Sequence, residues 1–375
     1  MHSNAIVRRK AAVFFLAAAT ALPALAQQAP APDASVQYSE VLPLVPRQSL
    51  ILGLTEAASR AVAVGERGHV LVSESRSDWR QVEQVPTRAT LTAVDAVGDS
   101  VWAVGHDGTI IASRDGGLSW TLQRSDVLDT SPDAVFDPHQ GVPLLDVLML
   151  DAQRGFAIGA YALLLRTDDG GANWRFVSTE GVLAEDDAGE SAFDDEDIGD
   201  DDSWTLSDED LMLDEESEPH FNAITRTGSG ALVIVGERGA AYRSRDGGSS
   251  WERLQLPYGG SMFGVIGYEG DHVVTFGMRG NIYESRDLGD SWDQIDADTD
   301  LSLMGGAGWG DGGFALVGAN GIVVTRSASD APPKVQIHTN ANQETPVLAG
   351  VIVRPNRSLV VSGDKGVDQF TPRNQ

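Results

Sequence analysis

The chain has 375 residues, a formal net charge of −28 and no cysteine. Such a charge argues against nucleic acid or an anionic lipid surface as a partner. The missing thiols exclude disulfides, thiolate metal sites, a cysteine nucleophile and a lipid-modified cysteine.

The first element in chain order is an export signal. Arg8, Arg9 and Lys10 precede an apolar run from Ala11 to about Leu22, which Pro23 breaks, and Ala24-Leu25-Ala26 then offers small residues where a signal peptidase reads. This order predicts a cleaved secretory signal peptide over 1–26. Its apolar core is too short for a permanent anchor, and no later stretch approaches a membrane-spanning length. The expected address is the periplasm, with 27–36 as a flexible lead-in and no direct membrane insertion.

From residue 37 onward the chain repeats. A Gly-x-x-Gly turn recurs as Gly65-Glu-Arg-Gly68, Gly105-His-Asp-Gly108, Gly236-Glu-Arg-Gly239, Gly277-Met-Arg-Gly280, Gly318-Ala-Asn-Gly321 and Gly363-Asp-Lys-Gly366. A seventh copy, Gly159-Ala-Tyr-Ala162, has lost its second glycine. Short β-branched runs flank each turn, as in Val101-Trp-Ala-Val104 and Thr109-Ile-Ile-Ala112. Runs of this kind bounded by turn glycines predict an antiparallel meander. A unit of roughly forty residues with four short strands is the signature of a propeller blade. The spacing stretches before the third and fourth turns, which places long loops at about 121–143 and 178–220.

A second signature follows the third strand. It reads Ser113-Arg-Asp-Gly-Gly-Leu-Ser-Trp120, Thr167-Asp-Asp-Gly-Gly-Ala-Asn-Trp174, Ser244-Arg-Asp-Gly-Gly-Ser-Ser-Trp251 and Ser285-Arg-Asp-Leu-Gly-Asp-Ser-Trp292. This is the Asp box, or BNR repeat. Asp115, Asp169, Asp246 and Asp287 are placed to cap backbone N–H groups of a tight turn. Trp120, Trp174, Trp251 and Trp292 then pack beneath it, pinning the third strand to the fourth. Degenerate copies stand at Ser73 to Trp79 and Thr325 to Ser329. Seven turns predict an all-β, seven-bladed β-propeller over 37–375, built of four-stranded antiparallel blades. The last blade runs out after its third strand, and the stretch Tyr38 to Leu44 can complete it and close the ring.

With these repeats the chain resembles the photosystem II stability/assembly factor family, as a non-photosynthetic bacterial relative. The resemblance implies a propeller that binds a partner protein during assembly and does no catalysis, with a basic patch on one face taking the partner. Relatives encoded beside resistance-nodulation-division exporters imply an accessory role in an envelope complex, the partner being an envelope protein such as an inner-membrane exporter.

The competing reading is a carbohydrate-binding propeller or a sialidase-like glycoside hydrolase, since Asp boxes abound in sialidases. Such an enzyme needs an arginine cluster, a Tyr–Glu pair and an acidic proton donor, and the Phe-Arg-Ile-Pro opening of sialidases is absent. No catalytic set, cofactor or metal site is expected. The histidines are dispersed, and the acidic stretch lacks calcium-loop spacing.

Position singles out a working face. In a four-stranded blade the turn between strands two and three shares a face with the connection to the next blade, and the Asp-box turns lie opposite. Arg67, Arg238, Arg279 and Lys365 therefore form a partial basic ring, interrupted by Asp107, Tyr161 and Asn320, with His106 beside it. Such a ring suits carboxylates or other anions. Both long loops leave on this face. Residues 184–218 hold 18 Asp and Glu and no Lys or Arg, a composition that predicts disorder. Within them Trp204 and neighbouring leucines could fold onto a partner.

Overall fold

The computed structural model describes residues 37–43, 45–127, 139–179 and 218–373. The signal peptide, the lead-in 27–36, Trp204 and all of the acidic stretch but Glu218 lie outside them. Among the described residues no helix is long and apolar enough to cross a membrane.

Seven antiparallel sheets stand in sequence order. Blade one comprises strands Ile51–Glu56, Ala61–Gly65, Val70–Ser73 and Arg80–Gln81, paired each with the next. The innermost strands of the blades that follow are Leu91–Val97, Leu144–Met149, Phe221–Arg226, Met262–Gly267, Leu303–Trp309 and Leu348–Val353. Each innermost strand packs on the next around the ring, and that of blade seven packs on that of blade one. The fold is thus the seven-bladed β-propeller that the repeats predict.

Burial explains the texture of the sequence. Second strands such as Ala61–Gly65 and Leu232–Gly236 are buried along their whole length. Being covered on both faces, they read as unbroken apolar runs. Outer strands such as Arg175–Phe176 and Glu252–Arg253 are exposed and only two residues long. The core lies in the seams between blades: Val62, Val64 and Val72 of blade one pack on Leu91, Val101 and Ile111 of blade two. Trp102 is fully buried where blade two meets blade three.

The first glycine of every Gly-x-x-Gly turn has a steric cause. A Cβ on Gly65, Gly105, Gly159, Gly236, Gly277, Gly318 or Gly363 would lie 1.8–2.4 Å from the carbonyl oxygen just before that blade's own first strand. Only a hydrogen fits there, so the glycine recurs wherever second strand and first strand cross this closely.

Two expectations need correction. Blade seven has three strands among the described residues, Leu348–Val353, Leu359–Gly363 and Gly366–Phe370. The stretch from Tyr38 does not complete it. Its main chain is claimed by blade one instead: Ser39 N–H donates to Val85 O at 2.9 Å, and Leu42 N–H to Gln81 Oε1 at 2.9 Å. One helical turn, Val45–Gln48, then packs on the last strand. The ring is closed by packing at this seam, where Ala61 meets Ile352 and Val360. The second correction concerns the Asp-box tryptophans, which do more than join strands three and four. Trp120 packs against blade one, and Trp251 meets Phe156 of blade three edge-on at 6.2 Å, so each fills the seam to the preceding blade.

Candidate functional site

The Asp-box turns build one face. Ser113 Oγ accepts from Gly117 N–H at 2.8 Å, while Asp115 accepts from Leu118 N–H, Ser119 N–H and the hydroxyls of Ser113 and Ser119. The same pattern recurs around Asp169, Asp246 and Asp287. These donors hold the carboxylates below their ordinary range; Asp287 falls to about 2, chiefly through the Ser291 hydroxyl. Every carboxylate is consumed inside its own turn, which leaves these turns to hold the fold.

The opposite face carries the turns between strands two and three. Connections between blades cross it, as expected: Gly108 N–H donates to Val142 O and Ala162 N–H to Pro219 O. At the third turn position, Arg67, Asp107, Tyr161, Arg238, Arg279 and Asn320 are exposed. All six adopt one left-handed conformation, with φ between 51° and 56°. Glycine, asparagine and aspartate enter that region most readily, and other L-residues pay roughly 1–2 kcal/mol there. Three arginines and a tyrosine thus stand where backbone preference alone would not put them.

Lys365 belongs to a different turn. Blade seven closes through a two-residue hairpin with Gly363 opposite Gly366, and Lys365 has no positive φ. Its ammonium stands 3.7 Å from Glu344, both side chains exposed. The cations therefore fall into two groups: Arg238 and Arg279 in adjacent blades four and five, and Arg67 with Lys365 in adjacent blades one and seven. Tyr161 is 47 % exposed, and its ring meets His220 edge-on at 4.9 Å. His220 lies 3.6 Å from Glu237, so an aromatic patch adjoins Arg238. His106 is exposed beside Asp107.

Three features escaped sequence reasoning. The central channel encloses about 230 Å³, walled by all seven innermost strands. Half-buried Asp95 and Asp146 turn their carboxylates into its blade seams. Asp95 accepts from Met149 N–H at 2.7 Å, and Asp146 from Ile224 N–H at 2.9 Å. Desolvation raises their pKa values to about 6 and about 7, despite these bonds.

A groove of about 750 Å³ opens on the Asp-box face beside Arg226, Tyr268, Glu269 and Trp309. It exists because the innermost strand of blade six is bare of side chains at Gly306 and Gly308. Cβ atoms there would strike the Phe276 and Tyr268 rings and Ile266.

Nearby, Glu284 accepts from His272 Nε2 at 2.7 Å and from Arg326 at 2.9 Å, joining blades five and six. Despite its burial, these partners hold Glu284 down to about 2. A Tyr, a Glu and an Arg therefore do meet here, but Arg326 is 2 % exposed and Tyr268 donates its hydroxyl to Gly313 O. Its charged groups are spent on one another, and the cluster acts as a latch between the two blades. The sequence held one clue, a glutamate inside a strand between Tyr283 and Ser285, both buried. Among the described residues no three His, Asp or Glu converge as a metal ion would require.

No family model matches the chain. It is 29 % identical over 157 residues to the photosystem II assembly lipoprotein Ycf48 of Synechococcus sp. (strain CC9902), a stretch of 36 % of this chain and 44 % of that protein. The chain thus spans less than half the length of that curated relative. Among solved structures, YCF48 bound to D1 peptide superposes with a TM-score of 0.60 at 15 % identity, over 90 % of this chain and 100 % of the other. YCF48 from Cyanidioschyzon merolae gives 0.59 at 15 % identity, over 90 % and 100 %. The WD40 propeller domain of Doa1 gives 0.60 at 9 % identity, over 91 % and 98 %. Likeness at these identities carries the fold alone, and the matched sequence stretch adds kinship. The chain is a seven-bladed β-propeller similar to the photosystem II assembly factors.

Proposed function

We propose that the chain is a non-catalytic propeller that binds a protein partner through the face of its strand-two-to-three turns, as a scaffold or assembly factor of an envelope complex. The single observation that carries this reading is the occupancy of the left-handed turn position. Arg67, Arg238 and Arg279 hold a conformation that disfavours them, and cations kept there at a conformational cost point to a task. Guanidinium groups pair with carboxylates in fork geometry, so the partner segment presents acidic side chains or a chain terminus. The Tyr161–His220 pair beside Arg238 supplies apolar contact. That one similar structure is YCF48 bound to D1 peptide supports a peptide-like partner. An export signal over 1–26 would put the work in the periplasm, and an inner-membrane exporter is the partner class we favour.

The test is charge reversal. Arg238→Glu with Arg279→Glu should abolish capture of the partner from envelope extracts, while Arg253→Glu, on an exposed outer strand, should leave it intact. Equal capture by both variants would sink the proposal.

A further inference from the structure

We propose that the outer edge of strand Gly366–Phe370 in blade seven is a second docking site, which takes an extended acidic and apolar segment of a partner protein as a fourth strand. Six blades have four strands, and the seventh has three among the described residues. On the side away from Leu359–Gly363, this strand faces no other described strand; Gln369 N–H is held at 2.7 Å by the Asp368 carboxylate, which an incoming strand would displace, and the main chain about Val367 offers the template for pairing. The chain's own neighbouring residues go elsewhere. Ser39 and Leu42 are bonded to blade one. The helical turn Val45–Gln48 packs on the strand, with Pro46 O close to Gly366. Beyond Phe370, Arg373 N–H bonds Gln336 of blade six at 3.0 Å.

What remains along the edge is a groove of about 390 Å³ lined by Arg47, Trp79, Asn342, Lys365, Val367 and Gln369. It has room for a short strand, and the outer strands of blades one, three, four and five are only two residues long. Its charges choose the occupant. Lys365 is engaged by Glu344, and Asp368 by His338 at 3.2 Å. Arg47 is exposed, close enough to lower the pKa of Asp368, and makes no ion pair among the described residues. A carboxylate on the incoming strand meets that guanidinium. With side chains alternating along a strand, an apolar residue beside it meets half-buried Trp79 and Val367. This groove shares Lys365 with the cation-bearing face but none of Arg67, Arg238 and Arg279, so it does not depend on the arginine reading.

The native chain has no cysteine, so Gln369→Cys carrying a polyethylene-glycol maleimide blocks the edge; the unlabelled Gln369→Cys controls for the lost Gln369 bonds to Arg354 and Arg76 O, and Asp293→Cys on blade five serves as the labelled control. A linear-peptide phage library is panned on the unmodified protein. Enriched peptides should alternate acidic and apolar residues and should slow amide exchange over Val367–Phe370 in the unmodified chain. They should bind at least about tenfold more weakly to the blocked protein and to Arg47→Glu, the equivalent of one or two lost hydrogen bonds; the labelled control should bind normally. The idea is overturned if no peptide is enriched or if enriched peptides bind the blocked protein as well. It is equally overturned if the thiol of Gln369→Cys refuses the reagent until residues 27–36 are deleted, which would mean that this chain covers its own edge.

Discussion

Asp146 shows how a single residue can work against its surroundings. Its carboxylate joins blade three to blade four by accepting Ile224 N–H, and it also accepts Val147 N–H at 2.8 Å. Both bonds favour the charged form, yet desolvation outweighs them and lifts the pKa to about 7. Because the folded value lies above the ordinary carboxyl value of about 4, folding takes up a proton. The contribution of Asp146 to stability is therefore fullest below about pH 4 and declines as pH rises to about 7. Asp146→Ala should cost more stability at pH 5 than at pH 7.5 when urea midpoints are compared at both. A loss that grows with pH would contradict this picture. The Asp-box carboxylates run the other way, since their depressed values withdraw stability only in acid.

At the level of the element, the turn glycine is the part of the design that reached the sequence most clearly. Gly236 leaves 2.1 Å between a would-be Cβ and His220 O. Gly236→Ala must therefore push the second strand off the first, at about 1–3 kcal/mol by the usual cost of overpacking. Thermal unfolding should register this, whereas Gly247→Ala, with open space around its Cβ, should show only the smaller strain of its positive φ. A steric demand repeated seven times leaves a seven-fold mark, which is why the blades, their number and their faces were legible. The fourth strand of blade seven was misread because Tyr38 to Leu44 carries strand-like composition, and composition cannot say which edge a strand joins. Lys365 was misplaced for a related reason. Gly-x-x-Gly spells both the left-handed turn of the other blades and the tight hairpin of blade seven, and only the backbone distinguishes them. The Glu284–Arg326 latch and the channel aspartates stayed hidden because they depend on neighbours forty or more residues away.

In the whole molecule, the seams carry stability and they are unequal. Between blades one and two the buried cluster extends from Ala57 and Val62 to Ile111 and Trp120. Between blades seven and one there are two smaller clusters, Ala61 with Ile352 and Val360, and Ile51 with Ala63 and Leu71, with half-buried Leu54, Trp79 and Val367 packed on both. With burial worth roughly 25 cal/mol per Å², the thinner seam opens first. Native-state hydrogen exchange should find a smaller opening free energy for Leu359–Gly363 than for the equally buried Leu232–Gly236 of blade four. Equal values would mean that the ring opens as one cooperative unit.

That closure has a mechanical consequence. In a ring whose last sheet interleaves strands from both ends, a pull on the ends loads a row of hydrogen bonds together, in shear. Here the chain near Tyr38 is fastened to blade one and Arg373 to blade six, and among the described residues no strand pairing joins blades seven and one, only side-chain packing, one helical turn and the side-chain bonds of Arg354 and Gln369 to Arg76 O. Tension applied at these two points would peel the seam contact by contact. The propeller should therefore yield at low force, blade seven leading, if a bound partner ever pulls on it.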